Sequence, residues 1–145
     1  MVKDEMDAQD LLQNSFVDVF TKLDTFRFQS SVGAWIKRIV VNNCINFLKK
    51  RRLYFEEIDE RLGNIEDDPV VEDAGLNVDS IKHAMYQLPD GYRVVFSLYL
   101  LEGYDHQEIA DILNISVATS KSQYSRAKKK MRELLQTEHL TKGIN

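Results

Sequence analysis

The chain is 145 residues long with 43% hydrophobic side chains, enough for one ordinary helical domain or two small ones. No stretch approaches the roughly 18 consecutive apolar residues of a spanning helix. The acidic first ten residues also lack the basic-then-apolar pattern of a secretory signal, so a cytoplasmic protein without membrane insertion is expected. A net charge of -4 would disfavour a nucleic-acid partner if it were evenly spread, but it is strongly segregated along the chain.

Ala8, Leu11, Leu12, Phe16, Val19, Phe20 and Leu23 recur at three- and four-residue steps, which predicts an amphipathic helix over residues 8–24 with these residues inward. Asp7 and Asp10 supply its acidic start. After a loop over residues 25–31, a second helix is predicted over 32–52, with Trp35, Ile36, Ile39, Val40, Ile45 and Leu48 on its apolar side. Residues 27–55 hold seven basic side chains (Arg27, Lys37, Arg38, Lys49, Lys50, Arg51 and Arg52) and no acid. The last four of these close the second helix at the negative end of its dipole. Cys44 lies within that helix, and a small buried hydrophobe is its expected role.

Residues 56–80 reverse the charge, with ten acids against Arg61 alone. They contain Gly63, Pro69 and Gly75 and no sustained helical period, so residues 54–77 read as an acidic linker between domains at 1–53 and 78–140. A short helical turn around residues 56–62 fits within it. From residue 78 the period returns, predicting four helices over 78–88, 90–101, 105–113 and 116–135. Gly103 suits the stop before the third of them. The expected fold class is all-α: two small helical domains, the C-terminal one a four-helix unit containing a helix-turn-helix.

That motif is read from residues 104–121. Asp105 with Glu108 resembles a capping box, and Ala110 is small where two helices must cross closely. Asn114 stands at the sharp turn, being one of the few non-glycine types that accept positive φ, and Ser116 is a good N-cap for the last helix. On that helix Val117, Tyr124, Ala127, Met131 and Leu134 form an inward stripe. Thr119, Ser122, Gln123, Ser125, Arg126 and Lys129 are left on the outer sides. Arginine and lysine donate to guanine edges or phosphates, glutamine pairs with adenine, and hydroxyls serve either purpose. Residues 116–145 carry seven bases against two acids.

At this point the chain resembles the extracytoplasmic-function group of bacterial RNA polymerase sigma factors, and the resemblance covers nearly all of it. Asp7-Ala8-Gln9-Asp10-Leu11-Leu12-Gln13 is similar to the start of that family's region 2. Phe26-Arg27-Phe28-Gln29-Ser30-Ser31 followed by Trp35-Ile36-Lys37-Arg38-Ile39 is similar to its promoter-melting segment. Leu88-Pro89-Asp90-Gly91-Tyr92-Arg93, Leu101-Glu102-Gly103-Tyr104 and Glu108-Ile109-Ala110 are similar to region 4. Three motifs in order at family spacing are a specific signal.

The resemblance implies a sigma factor that binds bacterial core RNA polymerase and directs initiation at promoter DNA, with an anti-sigma factor as a further partner. Asp10, Leu11, Gln13, Asn14 and Val17 would contact the polymerase. Arg27, Phe28, Trp35, Lys37, Arg38, Asn42 and Asn46 would recognise the minus-ten element, with a base flipped from the non-template strand. Thr119, Lys121, Ser122, Gln123, Ser125 and Arg126 would recognise the minus-thirty-five element. Three departures stand out: Phe28 occupies a position commonly glycine, Ser120 one commonly a buried aliphatic, and Gln123 one commonly arginine. Family members also carry a helix before the first motif, where this chain has six residues, so a shortened first domain is expected. The two DNA-facing units would need to reach sites roughly 55 Å apart, at 34–36 Å per helical turn. Residues 53–79 can span up to roughly 90 Å when extended at about 3.3 Å per residue.

The runner-up reading is a free-standing helix-turn-helix regulator, binding duplex DNA without polymerase, and the polymerase-face motif at residues 7–17 weighs against it. An interaction module or anti-sigma-bound remnant is a further alternative, supported by the short first domain. A lone Cys44 and the scattered His83, His106 and His139 make a structural disulfide, a metal site or a cofactor unexpected. Enzymatic activity is unexpected too, since no phosphate loop or nucleophile-base pair appears.

Overall fold

The computed structural model describes residues 1–51 and 77–142. Two compact units divide the chain, Met1–Leu53 and Tyr54–Asn145. Among the described residues every regular element is helical, so the all-α expectation holds. Residues 52–76, which hold all but the end of the predicted acidic run and the short turn at residues 56–62, lie outside the described residues. Asn77, the last residue of the predicted linker, is the N-cap of the helix that follows.

The first unit is a helical hairpin. α1 spans Glu5–Thr21 and starts three residues before the predicted position, because Asp4 rather than Asp7 caps it, accepting the Asp7 N–H at 3.0 Å. A 3-10 turn, Leu23–Thr25, leads to α2, Val32–Lys50, whose N-cap Ser31 accepts the Ala34 N–H at 3.2 Å. α1 packs along α2 and buries Val19 against a side that includes Val41, Ile45 and Leu48. The seam also holds a polar knot. Asn43 Nδ2 donates to Ser15 Oγ at 3.0 Å and to Asp18 Oδ2 at 2.8 Å, and Ser15 Oγ donates back to the Leu11 carbonyl at 2.6 Å. Four buried aliphatics, at roughly 1.5–3 kcal/mol each, make a thin core.

That thin core explains a correction. Leu12, Phe16, Phe20 and Leu23 were expected to face inward, yet all four are exposed. α1 carries more apolar surface than one partner helix can cover, and α2 takes only the side around Ser15 and Val19. Val41 joins the buried set instead, while Trp35, Ile36, Ile39 and Val40 are half-buried. Cys44 is likewise half-buried rather than fully enclosed.

The second unit contains α3 (Val78–Gln87), α4 (Asp90–Phe96), a π-helical turn (Ser97–Leu101), α5 (His106–Leu113) and α6 (Val117–Lys142). α3, α4 and α5 all pack on α6, whose Ala127 and Met131 share a core with Ala84, Leu88 and Phe96. The predicted second helix of this unit changes character at Ser97, where the Glu102 N–H bonds the Ser97 carbonyl five residues back at 3.0 Å. Gly103 follows at φ 77°, as a helix stop requires. The last helix outruns its predicted end by seven residues, to Lys142 rather than 135.

Candidate nucleic-acid interface

The helix-turn-helix is built by local capping chemistry. Asp105 Oδ1 accepts the Glu108 N–H and Glu108 Oε2 accepts the Asp105 N–H, both at 2.8 Å, so the capping box that opens α5 is complete. Asn114 ends α5 in the left-handed conformation, φ 55° and ψ 49°. Ser116 Oγ then accepts the Thr119 N–H at 3.0 Å and starts α6. Ile109, Ala110 and Leu113 are buried as α5 docks on α6.

Sequence reasoning missed one contact between these helices. Ser120 is fully buried, and its Oγ lies 2.9 Å from His106 Nδ1, so a hydrogen bond stands where an aliphatic contact is usual. The His106 ring stacks on Tyr99, with centroids 4.5 Å apart, and Tyr99 meets Tyr124 at 4.4 Å. Burial, followed by the charge of Lys121 and then Lys128, holds His106 below its ordinary value of 6.5, against an opposing effect of Asp105. A neutral imidazole can serve either as donor or as acceptor to Ser120.

Helical periodicity sorts the outer residues of α6. Lys121, Ser122, Ser125 and Lys129 share one side, with Arg126 on its flank, and each is exposed or half-buried. Ser122 Oγ donates to the Ala118 carbonyl at 2.8 Å, which leaves its lone pairs free to accept. Thr119 Oγ1 is 2.8 Å from Ser116 Oγ, so that hydroxyl takes part in the cap. Gln123 requires correction as an outer residue: it is 1% exposed. It sits one turn from Ser120 and Ala127, on the side that packs inward. A polar side chain at that position was indistinguishable from an outer one until the helix's buried side was known.

In the first unit, Trp35, Arg38, Asn42, Asn46 and Lys49 fall at three- and four-residue steps along one side of α2, and all but half-buried Trp35 are exposed. Lys37 is exposed but lies about 100° around the helix from Arg38, off this stripe. Arg27 and Phe28 occupy the loop before α2, where the Phe26 ring lies tilted between those of Phe28 and Trp35. Asn43, not singled out in the sequence, is the amide that holds the hairpin together.

On α1, Asp10, Gln13, Asn14 and Val17 lie on one exposed side, with Leu11 half-buried at its margin. Met6 and Phe20 extend that side. Met6 is 76% exposed, Val17 63% and Phe20 74%, a concentration of bare apolar surface that calls for a partner.

Both units resemble known proteins. Residues 1–54 match the family described as Sigma-70 region 2, and residues 79–131 match Sigma-70, region 4. The ECF RNA polymerase sigma factor SigM of Bacillus subtilis is 30% identical across all of this chain and 86% of its own length. SigW of the same organism, also an ECF sigma factor, is 27% identical over 89% of this chain and 75% of its own. The sigma factor RpoE of Bartonella quintana, solved in complex with the anti-sigma factor NepR, shares the fold at a TM-score of 0.60 and 23% identity. That match covers 93% of this chain and 84% of RpoE.

Proposed function

The chain belongs to the extracytoplasmic-function RNA polymerase sigma factors, and on that premise we propose how its surfaces divide the work of directing promoter-specific initiation. The exposed side of α1, centred on Asp10, Gln13, Asn14 and Val17 with Leu11 beside it, binds core RNA polymerase. Arg27, Phe28, Trp35, Arg38, Asn42 and Asn46 contact the minus-ten element, and Lys37 meets the backbone from beside that stripe. Lys121, Ser122, Ser125 and Arg126 read the minus-thirty-five element, with Thr119 at the helix start nearer a phosphate. In this scheme residues 1–53 and 78–140 are the two promoter-facing domains, and residues 54–77 the acidic connection between them.

The observation that carries the reading is the pairing of a capped helix-turn-helix, whose last helix presents Lys121, Ser122, Ser125 and Lys129 on one side, with a second basic helix of aligned Arg38, Asn42, Asn46 and Lys49. The match of the first unit to Sigma-70 region 2 weighs against a free-standing regulator. The chain has no catalytic role in this reading and acts in the cytoplasm, beside the polymerase. No described helix is long and apolar enough to cross a membrane. RpoE of Bartonella quintana binds an anti-sigma factor, and the bare apolar side of α1 supports such a partner here.

The test is capture of core polymerase. Val17 and Phe20 are exposed, so Val17→Asp and Phe20→Asp should change folding stability by no more than about 0.5 kcal/mol. Both should weaken core binding about tenfold or more in a titration against labelled core, the loss of a central contact. Wild-type affinity in both variants would move the polymerase contact away from this side of α1.

A further inference from the structure

The seam between α1 and α2 buries the less apolar side of α1. Ser15 and Val19 are buried there, while Leu12 and Phe16 stay 46% and 48% exposed. At roughly 100° per residue, Leu12 and Phe16 lie about 60° and about 100° around the helix from Ser15, in the same sense. Turning α1 by about 80° would therefore bring both under α2. Apolar burial is non-directional and grows with area, so by itself it favours that turn. What opposes it is directional. Asn43 reaches across from α2, its Nδ2 donating to Ser15 Oγ at 3.0 Å and to Asp18 Oδ2 at 2.8 Å. Ser15 Oγ is itself held in place by donating to the Leu11 carbonyl at 2.6 Å. Both cross-helix bonds break if α1 turns, and the one to the carboxylate is of the stronger kind. These residues also stand beside both working faces. Asn14 and Val17 of the polymerase side each precede a member of the network, Ser15 and Asp18, and Asn42 of the promoter stripe precedes Asn43.

We propose that Ser15, Asp18 and Asn43 are positioning residues that set the rotation of α1 on α2, and with it the angle between the polymerase contact and the minus-ten stripe. A single buried asparagine fixes the register of coiled coils in the same way, at a cost in stability. Any turn in the seam swings one working face against the other by the same angle. The proposal rests on the assignment of α1 to polymerase and α2 to promoter.

The experiment replaces the whole network with apolar side chains in the full chain, combining Ser15→Ala, Asp18→Leu and Asn43→Leu. With nothing left to oppose the turn, the denaturation midpoint of this triple variant should equal or exceed that of wild type. Asn43→Ala alone should lower it, because Ser15 and Asp18 lose their partner. Core polymerase saturated with the triple variant should initiate about tenfold or more weakly at the promoter fragments that wild type selects, the value of one misplaced base contact. Asp18→Asn keeps an oxygen acceptor and should initiate like wild type. The turn itself is read by thiol labelling of Leu12→Cys in a Cys44→Ala background. Labelling should be rapid with the wild-type network and about tenfold or more slower with the apolar one, since it then waits on local opening. Undiminished initiation by the triple variant, or labelling as rapid as with the wild-type network, would overturn the proposal while leaving the surface assignments intact. A wild-type holoenzyme that initiates at no fragment would overturn those assignments, with the labelling still reporting the turn.

Discussion

Arg93 is 2% exposed, its Nη1 donates to the Leu88 carbonyl at 2.9 Å, and its Nη2 pairs with Asp90. It ties the end of α3 to the start of α4. Arg93→Ala would leave a cavity and an unsatisfied carbonyl, and should cost about 2–4 kcal/mol in denaturant unfolding. Arg93→Lys should recover little, because an ammonium cannot reproduce the guanidinium fork. His106 supplies a pH test with a definite sign. Its folded pKa is depressed, so the unfolded chain binds more protons between the folded value and the ordinary 6.5. Its contribution to stability is therefore complete above about pH 6.5 and lost as pH falls through the lower folded value. Melting at pH 7.5 and 5.5 should show a larger drop for wild type than for His106→Gln; equal drops would show that this ring does not carry the linkage.

The elements set by local chemistry were legible from the residues alone. Asp105 with Glu108, Asn114 and Ser116 all sit where expected, because a cap needs only its own three or four neighbours. Asp105→Ala should destabilise the second unit by about 1 kcal/mol, and Asn114→Gly should be neutral or slightly stabilising, both read from denaturation midpoints. Legibility failed where another element decides the outcome. The apolar residues of α1 fit a helix, but which of them is buried depends on how much of α1 one partner can cover. Phe20 therefore faces solvent while Val19 does not. Gln123 was misplaced for a similar reason: its side of α6 is chosen by α5 and the inner core. Family resemblance marked Phe28 and Ser120 as departures. It did not show that one would adopt a left-handed backbone and the other would bond to His106.

At the scale of the whole chain, a net charge of -4 coexists with two basic helices because the acids are concentrated elsewhere in sequence. Promoter binding by holoenzyme should weaken as salt rises, and replacing Lys129 by alanine should lower the magnitude of the log-log slope by roughly 0.9 if it neutralises one phosphate. An unchanged slope would take Lys129 out of the contact. The central claim is that one sigma factor joins core polymerase to promoter DNA through α1, α2 and α6. Its most direct measurement is transcription from a promoter-fragment library by core polymerase reconstituted with the wild-type chain or with Arg126→Ala. Wild type should initiate from a defined subset of fragments. Arg126→Ala should still bind core but lose roughly 5- to 150-fold in initiation at those promoters, the value of one specific arginine contact. Failure of the wild-type chain to bind core, or undiminished selective initiation by Arg126→Ala, would contradict that division of roles.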